Sequence, residues 1–360
     1  MSDTRQLLRE TRDRVAPPRD VFGSLDRRRR HDSNFRRATA AVLGIAVALA
    51  GIGGWFAAQG DDNSERTGGR TEGLGIFAPI SGWIAYTNNR GHGPGIWAVE
   101  PLPSDDPARE GVYGKDGSTP VAWSSDGTEL LITRQGATMI KELVILHADG
   151  TETAVLSGPD VRDASLSPDG RRVVYTSFGV ERPPSGLYVV DADGGPSEVL
   201  VDSAGTFLGA PTFSPDGTRI AYVDERGENQ DKHRVWVVNA DGSDPRVIVA
   251  EETLNNAAVF GLAWSPTGDA IALGLLRTEA RGRVREASVF TFAPDGSRFT
   301  RVIENGVSPT WSADGSRIAF SHYRRGDVDL RGAIGIVNAD GTGLEYVSAN
   351  AGPGIWHPGP

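Results

Sequence analysis

The chain has 360 residues, enough for one large domain with additional segments. It contains no cysteine, which excludes disulfides, zinc–thiolate sites and a cysteine nucleophile. The formal net charge is −10, but residues 1–37 carry eleven arginines against six acidic residues, so the remainder carries about −15. Such an acidic body argues against nucleic acid as the partner of the main domain, because phosphate binding requires a positive surface.

Residues 1–37 are predicted to be a basic cytoplasmic tail. Arginine outnumbers lysine 34 to 3 in the whole chain, which is typical of a GC-rich bacterial genome. The tail also has apolar residues, among them Leu7, Leu8 and Phe22, beyond what setting membrane topology requires. Two interpretations remain open. The tail binds a cytoplasmic regulator, or it only sets topology and contacts anionic lipid headgroups.

Residues 38–60 contain no charged side chain and are predicted to be a transmembrane helix. A helix of about 20 residues spans the hydrocarbon core of a bilayer. Arginines crowd the N-terminal flank, so we expect the N-terminus in the cytoplasm and the body outside it, as in a single-pass cell membrane protein. A cleaved signal peptide is the alternative, but its apolar stretch is usually shorter, about 7–15 residues. Residues 61–78 are polar and glycine-rich and predict a flexible tether.

A short motif then recurs five times: an aromatic or apolar residue, a serine, and a turn ending in glycine. Successive serines are separated by 43, 47, 51 and 47 residues. Such a period is typical of stacked or radial repeats. The five copies are 123–127, 166–170, 213–217, 264–268 and 311–315.

Each repeat is predicted to contain four strands. In the third complete repeat these are 211–214, 220–223, 235–238 and 246–249, with Glu225–Lys232 predicted to be a charged loop. Asp-Gly turns between β-branched runs predict tight hairpins. No helical periodicity follows the membrane segment. Four strands in 43–51 residues are typical of a β-propeller blade.

These repeats resemble the TolB-type, WD-repeat-like β-propeller repeat, whose pattern is roughly W-S-P-D-G, I-A-F and I-Y-V-V-D-A-D-G. The resemblance covers about residues 80–358. It implies an all-β propeller at residues 79–360, in a bacterial envelope protein. It implies no particular activity, because one fold hosts many functions.

The two ends of the chain are predicted to share one blade. Residues 83–87 and 96–99 match a second and a third strand, but no first strand precedes them. Residues 354–358 match a first strand that nothing follows. We therefore expect a six-bladed propeller, with four antiparallel strands per blade, in which the C-terminal strand joins the N-terminal blade. Closure of this kind removes open sheet edges.

Two repeated features are interpreted as structural. The aromatic residue of each motif is expected to pack between blades, with ligand stacking as the alternative. The turn aspartates are expected to make turn hydrogen bonds, although Asp191–Gly195 begins like a calcium loop without its later glutamate. No metal site and no cofactor are predicted.

Binding is predicted on the end of the propeller that carries the irregular loops and the links 103–118 and 251–261. The arginine-rich loops of two adjacent blades are candidates for an anionic or acidic partner, with solvated loops paired to nearby acidic residues as the alternative. The candidate partner-binding residues are Arg277, Arg281, Arg283, Arg285, Arg324 and Arg325.

No catalytic motif is present: the chain has no Gly-x-Ser-x-Gly elbow, phosphate loop or His-Glu-x-x-His pair. We therefore expect a protein- or ligand-binding module and not an enzyme. Its partner is expected to be a protein or an envelope ligand, and its tail to signal like that of a membrane regulator. The alternatives are an envelope scaffold without signalling and an enzyme with a site in the central tunnel.

Overall fold

The computed structural model describes most of the region predicted to be the propeller. The predicted tail, the membrane span and nearly all of the tether lie outside it. Within the described residues, no helix has the length and apolar character needed to cross a membrane. The described residues are 77, 80, 82–88, 95–101, 109–114, 117–135, 141–158, 161–177, 185–203, 206–226, 232–255, 257–278, 284–323 and 332–358.

The described strands form six blades, and neighbouring strands within each blade are antiparallel. Blade 1 contains β1 (Ile84–Asn88), β2 (Ile96–Val99) and β3 (Arg109–Tyr113). Blade 2 contains β4 (Ser118–Trp123), β5 (Glu129–Gln135), β6 (Lys141–His147) and β7 (Glu152–Gly158). Blade 3 contains β8 (Val161–Leu166), β9 (Arg172–Ser177), β10 (Gly186–Asp191) and β11 (Glu198–Asp202).

Blades 4 to 6 follow the same order. Blade 4 contains β12 (Phe207–Phe213), β13 (Arg219–Arg226), β14 (Lys232–Asn239) and β15 (Arg246–Val249). Blade 5 contains β16 (Ala258–Trp264), β17 (Ile271–Thr278), β18 (Val284–Phe292) and β19 (Thr300–Glu304). Blade 6 contains β20 (Gly306–Trp311), β21 (Arg317–His322), β22 (Gly332–Asn338) and the first part of β23 (Glu345–Trp356). A one-turn helix, α1 (Glu251–Leu254), links blades 4 and 5.

Strand β23 closes the ring by serving two blades. Its first part pairs with β22 and its last residues pair with β1, where Ile84 lies opposite Trp356. The Trp356 indole Nε1 donates to the carbonyl oxygen of Gly82 at 2.7 Å, and the backbone N–H of His357 donates to the carbonyl oxygen of Trp83 at 2.8 Å. The prediction that the C-terminal strand completes the N-terminal blade is confirmed.

The hydrophobic core lies between blades. Leu131 of blade 2 shares a buried cluster with Val173 of blade 3, while the next residue, Val174, packs with Ile220 of blade 4. This alternation follows from the two-residue period of a strand, which points successive side chains to opposite faces of the sheet. Each blade is therefore stabilised by both neighbours, and an unclosed ring would expose two apolar faces.

The repeated aromatic residues pack between blades, as predicted. Trp264 is 7 % exposed, and the guanidinium of Arg219 from the preceding blade lies 5.0 Å from its ring centre. Trp356 has the same relation to Arg317. The indole Nε1 of Trp311 donates to the carbonyl oxygen of Ala263 in the preceding blade at 3.0 Å.

Each serine–glycine motif forms a tight turn with its own hydrogen bonds. In the last copy, the Ser312 hydroxyl donates to Asp314 Oδ1 at 2.6 Å and accepts from the backbone N–H of Arg317 at 2.9 Å. Gly315 has a φ of 69°, the left-handed region that glycine tolerates best. The aspartate of this turn therefore acts as a turn residue, as expected.

The structure corrects three local predictions. The charged segment Glu225–Lys232 is not wholly a loop, since β13 extends to Arg226 and β14 begins at Lys232. Charged residues continue these strands because they form ion pairs there. The link 103–118 contains β3, the outer strand of blade 1, and the link 251–261 contains α1. Both lie in polar stretches whose apolar periodicity is too short to indicate an element.

Candidate binding face

The antiparallel strands divide the turns of the propeller between two ends. The turn end carries the serine–glycine turns and, in blades 2 to 6, the Asp-Gly turns that follow the third strand. The loop end carries the hairpins after each second strand and the links between blades. The two ends differ in how their polar groups are paired, and this difference locates the candidate site at the loop end.

Two of the six predicted partner-binding arginines lie within the described residues. Arg277 Nη1 donates to Glu286 Oε2 at 2.6 Å, and its Nη2 donates to the carbonyl oxygen of Leu254 at 3.1 Å. Arg277 therefore binds the C-terminal end of α1, where a cation is favourable. Arg285 lies on β18 and is exposed. Arg281, Arg283, Arg324 and Arg325 lie outside the described residues, so binding by this set stays a prediction.

An ion-pair cluster joins blades 3 and 4 at the loop end; we call it the clasp, formed by Arg162, Asp163 and Glu225. The Arg162 guanidinium forms two hydrogen bonds with Glu225, at 2.7 and 3.1 Å. Asp163 Oδ2 accepts from the backbone N–H of Ala210 at 3.0 Å. Glu225 is only 5 % exposed, so this carboxylate depends on the arginine of the neighbouring blade.

Burial and charge act in opposite directions on the basic groups of this region. Burial by itself would lower the pKa of Arg162, but the charges of Glu225 and Asp163 raise that pKa above its usual value. Burial lowers the pKa of Lys141, on the neighbouring blade 2, and the charge of Asp163 opposes this only in part. The clasp therefore keeps Arg162 fully charged and fixed in orientation.

The position of the clasp follows from an irregularity of the innermost strands. The pairing register between first and second strands shifts in each of blades 2 to 6. Ala210 and Ser308 lie at these shifts with φ near 50°, and Gly261 lies at another with φ 90°. Bulges redirect side chains, and at the bulge of blade 3 the redirected residues are Arg162 and Asp163.

Arg162 and Asp163 were not among the residues predicted from the sequence, although the sequence contains a signal for them. They stand five and four positions before the serine of their motif. The residues at those two positions in the other repeats are Thr119 and Pro120, Gly209 and Ala210, Phe260 and Gly261, and Val307 and Ser308. A charged pair at positions otherwise small or apolar is a departure from the repeat within a strand, outside the loops.

A second cluster lies on blade 4, also at the loop end; we call it the arginine pair, formed by Arg226 and Arg234. Arg226 Nε and Arg234 Nη2 both donate to Asp224 Oδ2, at 2.6 and 2.7 Å. Arg234 also stacks over Trp236, with its guanidinium carbon 5.2 Å from the ring centre. Burial, followed by the charge of Asp224, raises the pKa of Tyr222 to about 12, so this phenol remains protonated.

The described charged groups of the loop end are oriented for hydrogen bonding. The clasp and the arginine pair offer oriented hydrogen-bond donors and a partly exposed carboxylate, Asp163. Within the described part of the chain, no three His, Asp or Glu residues are grouped so that they could hold a metal ion. Charged groups held by neighbours on rigid strands suit the binding of a polar partner.

Comparison with known proteins supports the propeller. Residues 142–320 match the family model described as the lipoprotein LpqB β-propeller domain. A search of curated proteins found no match. The putative TolB from Agrobacterium tumefaciens is similar in structure, with a TM-score of 0.52, 19 % identity, and coverage of 77 % of this chain and 97 % of that one.

Two further solved structures share the fold. A chain of the nidogen/laminin complex has a TM-score of 0.55 and 12 % identity, over 77 % of this chain and 98 % of that one. The tricorn protease has a TM-score of 0.52 and 10 % identity, over 77 % of this chain and 30 % of that one. At these identities the similarity concerns the fold alone. The chain is thus a six-bladed β-propeller, similar to the LpqB-type domain over residues 142–320.

Proposed function

We propose that this chain is a membrane-anchored protein of the bacterial envelope whose propeller binds a protein partner through its loop end, without catalysis. The observation that carries the proposal is the contrast between the two ends. The turn end repeats one locally paired turn, whereas the loop end holds charged side chains in unrepeated arrangements, such as the clasp. Non-repeated polar groups on a rigid scaffold are the usual basis of recognition.

The envelope location rests on the similarity to a lipoprotein propeller domain and to TolB, together with the uncharged segment 38–60. Because the chain has no cysteine, single cysteines can be introduced without background. Val199 is 58 % exposed and suits such a substitution. In intact cells we expect a membrane-impermeant maleimide to label Val199→Cys but not Ser2→Cys. Labelling of only the tail cysteine would contradict this topology.

The binding end is tested by photo-crosslinking in cells that express the full chain. A photoreactive amino acid replaces Thr278 at the loop end or Asp295 at the turn end of the same blade, both of which are exposed. We expect an adduct of defined mass from position 278 and none from position 295. The same adduct from both positions, or from position 295 alone, would exclude the loop end as the specific surface.

We also propose that residues 1–37 connect the propeller to a cytoplasmic regulator. The apolar residues of the tail, such as Leu7 and Phe22, favour this over a purely topological role. The test is a pull-down with a peptide of residues 1–37 and with a matched peptide in which the apolar residues are serine. Capture of one cytoplasmic protein by the first peptide alone supports signalling. Binding of both peptides to anionic lipid alone supports the scaffold alternative.

A further inference from the structure

The arginine pair carries more positive charge than the carboxylate it contacts requires. Asp224 is 2 % exposed, and a single guanidinium would neutralise it. Two guanidiniums instead converge on the same oxygen, Asp224 Oδ2. The three groups together carry one surplus positive charge on a chain whose net charge is −10. A surplus cation of this kind at the loop end attracts an anionic group.

Arg226 and Arg234 remain accessible while they are held in place. The side chain of Arg226 is 48 % exposed and that of Arg234 is 25 % exposed. Among the described residues, Arg226 forms one hydrogen bond, from its Nε to Asp224, and none from its two terminal nitrogens. Arg234 is fixed by Asp224 on one side and by the Trp236 ring on the other. Such preorganisation lowers the entropic cost of binding.

The hydrogen bonding around the pair is incomplete for a purely structural network. Within the part of the chain that the structure describes, the buried atoms Asp224 Oδ1, Arg234 Nε and Trp236 Nε1 have no hydrogen-bond partner. Buried polar atoms are normally paired, and a network that exists only for stability would satisfy its members. Asp224 and Arg234 are cross-strand neighbours and Trp236 follows Arg234 by two positions, so this cluster is not fully paired by the described residues alone.

We propose that Arg226 and Arg234 bind a carboxylate of an acidic peptide segment belonging to a protein partner. This proposal rests on the proposed function and names the chemistry that its loop end recognises. A guanidinium presents paired N–H donors that match a carboxylate. Two neighbouring guanidiniums can donate hydrogen bonds to both oxygens of one carboxylate. A peptide fits better than a lipid surface because Arg234 is three-quarters buried, so a narrow chain reaches it more readily than a flat layer of headgroups.

The test uses the full-length chain purified in detergent and a fluorescein-labelled peptide of alternating glutamate and serine. Fluorescence anisotropy measures its affinity at low and at high salt. We expect Arg226→Gln to weaken binding on the order of 10-fold at low salt, and Arg226→Lys to weaken it less, because lysine keeps the charge but not the fork. The matched control is Arg246→Gln, an exposed arginine of the same blade at the turn end, which should bind like the wild type.

Arg234→Gln is expected to weaken binding too, and its melting temperature shows whether the fold is intact. Since Arg226 is the more exposed of the pair, the decision rests on its variants. Equal affinity for Arg226→Gln and Arg246→Gln would overturn the proposal. Arg226-dependent binding to phosphatidylglycerol vesicles without binding to the peptide would overturn it in favour of a membrane surface. If the crosslink from position 278 persists in either case, the proposed function stands and only this site is wrong.

Discussion

The two ends of the propeller are stabilised by bonds of very different range. At the turn end, Asp314 accepts hydrogen bonds from Ser312 and Ser316, each two positions away in the sequence. At the loop end, Arg162 pairs with Glu225, which is 63 positions away on the next blade. The local turn can therefore recur from blade to blade, whereas the Arg162–Glu225 ion pair is particular to blades 3 and 4. In this protein, the residues that form the repeated fold are thus different from the residues that distinguish one blade from another.

Both ends of the propeller depend on a closed ring, so the largest expected effect is the loss of closure. Deletion of residues 352–360 removes most of the part of β23 that pairs with β1, together with the Trp356–Gly82 bond. We expect the propeller to lose its cooperative unfolding transition. Its free energy of unfolding should fall by at least several kcal/mol, because two apolar blade faces become exposed. Thermal melting followed by circular dichroism checks this. Deletion of 359–360 alone is the control, and equal melting of the two proteins would contradict strand closure.

Within the loop end, the clasp should be more costly to break than an exposed ion pair. Glu225→Gln removes the nearer counter-charge of the largely buried Arg162 and leaves only the more exposed Asp163, and we expect a loss of about 3 kcal/mol. Glu286→Gln breaks the more exposed pair with Arg277 and should cost less than about 1 kcal/mol. Urea unfolding measures both. Similar values for the two variants would remove the distinction between a buried clasp and a surface pair.

At the turn end, a single turn aspartate should have a moderate effect that depends on pH. Asp314→Ala should cost about 1 kcal/mol near neutral pH. Hydrogen bonds from Ser312 and Ser316 lower the pKa of Asp314 to about 2, below the value of about 3.9 in an unfolded chain. The stabilisation is therefore present above about pH 4 and lost as the pH falls towards 2.

Urea unfolding of wild type and Asp314→Ala at pH 6 and at pH 2.5 measures this loss. The difference between the two proteins should shrink at the lower pH. Asp340→Ala, at a similar turn in the same blade, should behave alike, because its pKa is lowered by Thr342 in the same way. Opposite pH trends at the two sites would show that the turns of this end are not equivalent.

The smallest expected effect concerns His357, a contact of the turn end that is not part of the repeat. Its Nε2 lies 3.1 Å from the carbonyl oxygen of Gly127, and its ring contacts Trp123. Burial lowers the pKa of His357, so its protonation favours the unfolded chain. Stability should therefore decrease as the pH falls through about 6.5.

His357→Gln removes this titration while retaining an amide donor for Gly127. We expect the wild type to lose more stability than the variant between pH 7.5 and pH 5. Melting temperatures at the two pH values give the difference. If both proteins lose the same stability, the pH dependence belongs to other groups.

The sequence by itself determined the blades, because each turn and strand depends on residues within one repeat. The spacing of the motifs, the alternation of apolar residues and the unmatched strands at the two ends were enough to predict six blades and their closure. The strands at 235–238 and 246–249 were placed to within a few residues for the same reason.

Only the tertiary structure decided which charged residues meet. The sequence predicts that Glu225 lies in a loop, because it follows an apolar run. No local pattern indicates that an arginine 63 positions away makes its burial favourable. The bulge that turns Arg162 and Asp163 towards blade 4 depends on strand pairing, which no short pattern specifies. An ion pair between blades depends on the distance between two side chains in the folded protein. The candidate site could therefore be identified only from the tertiary structure.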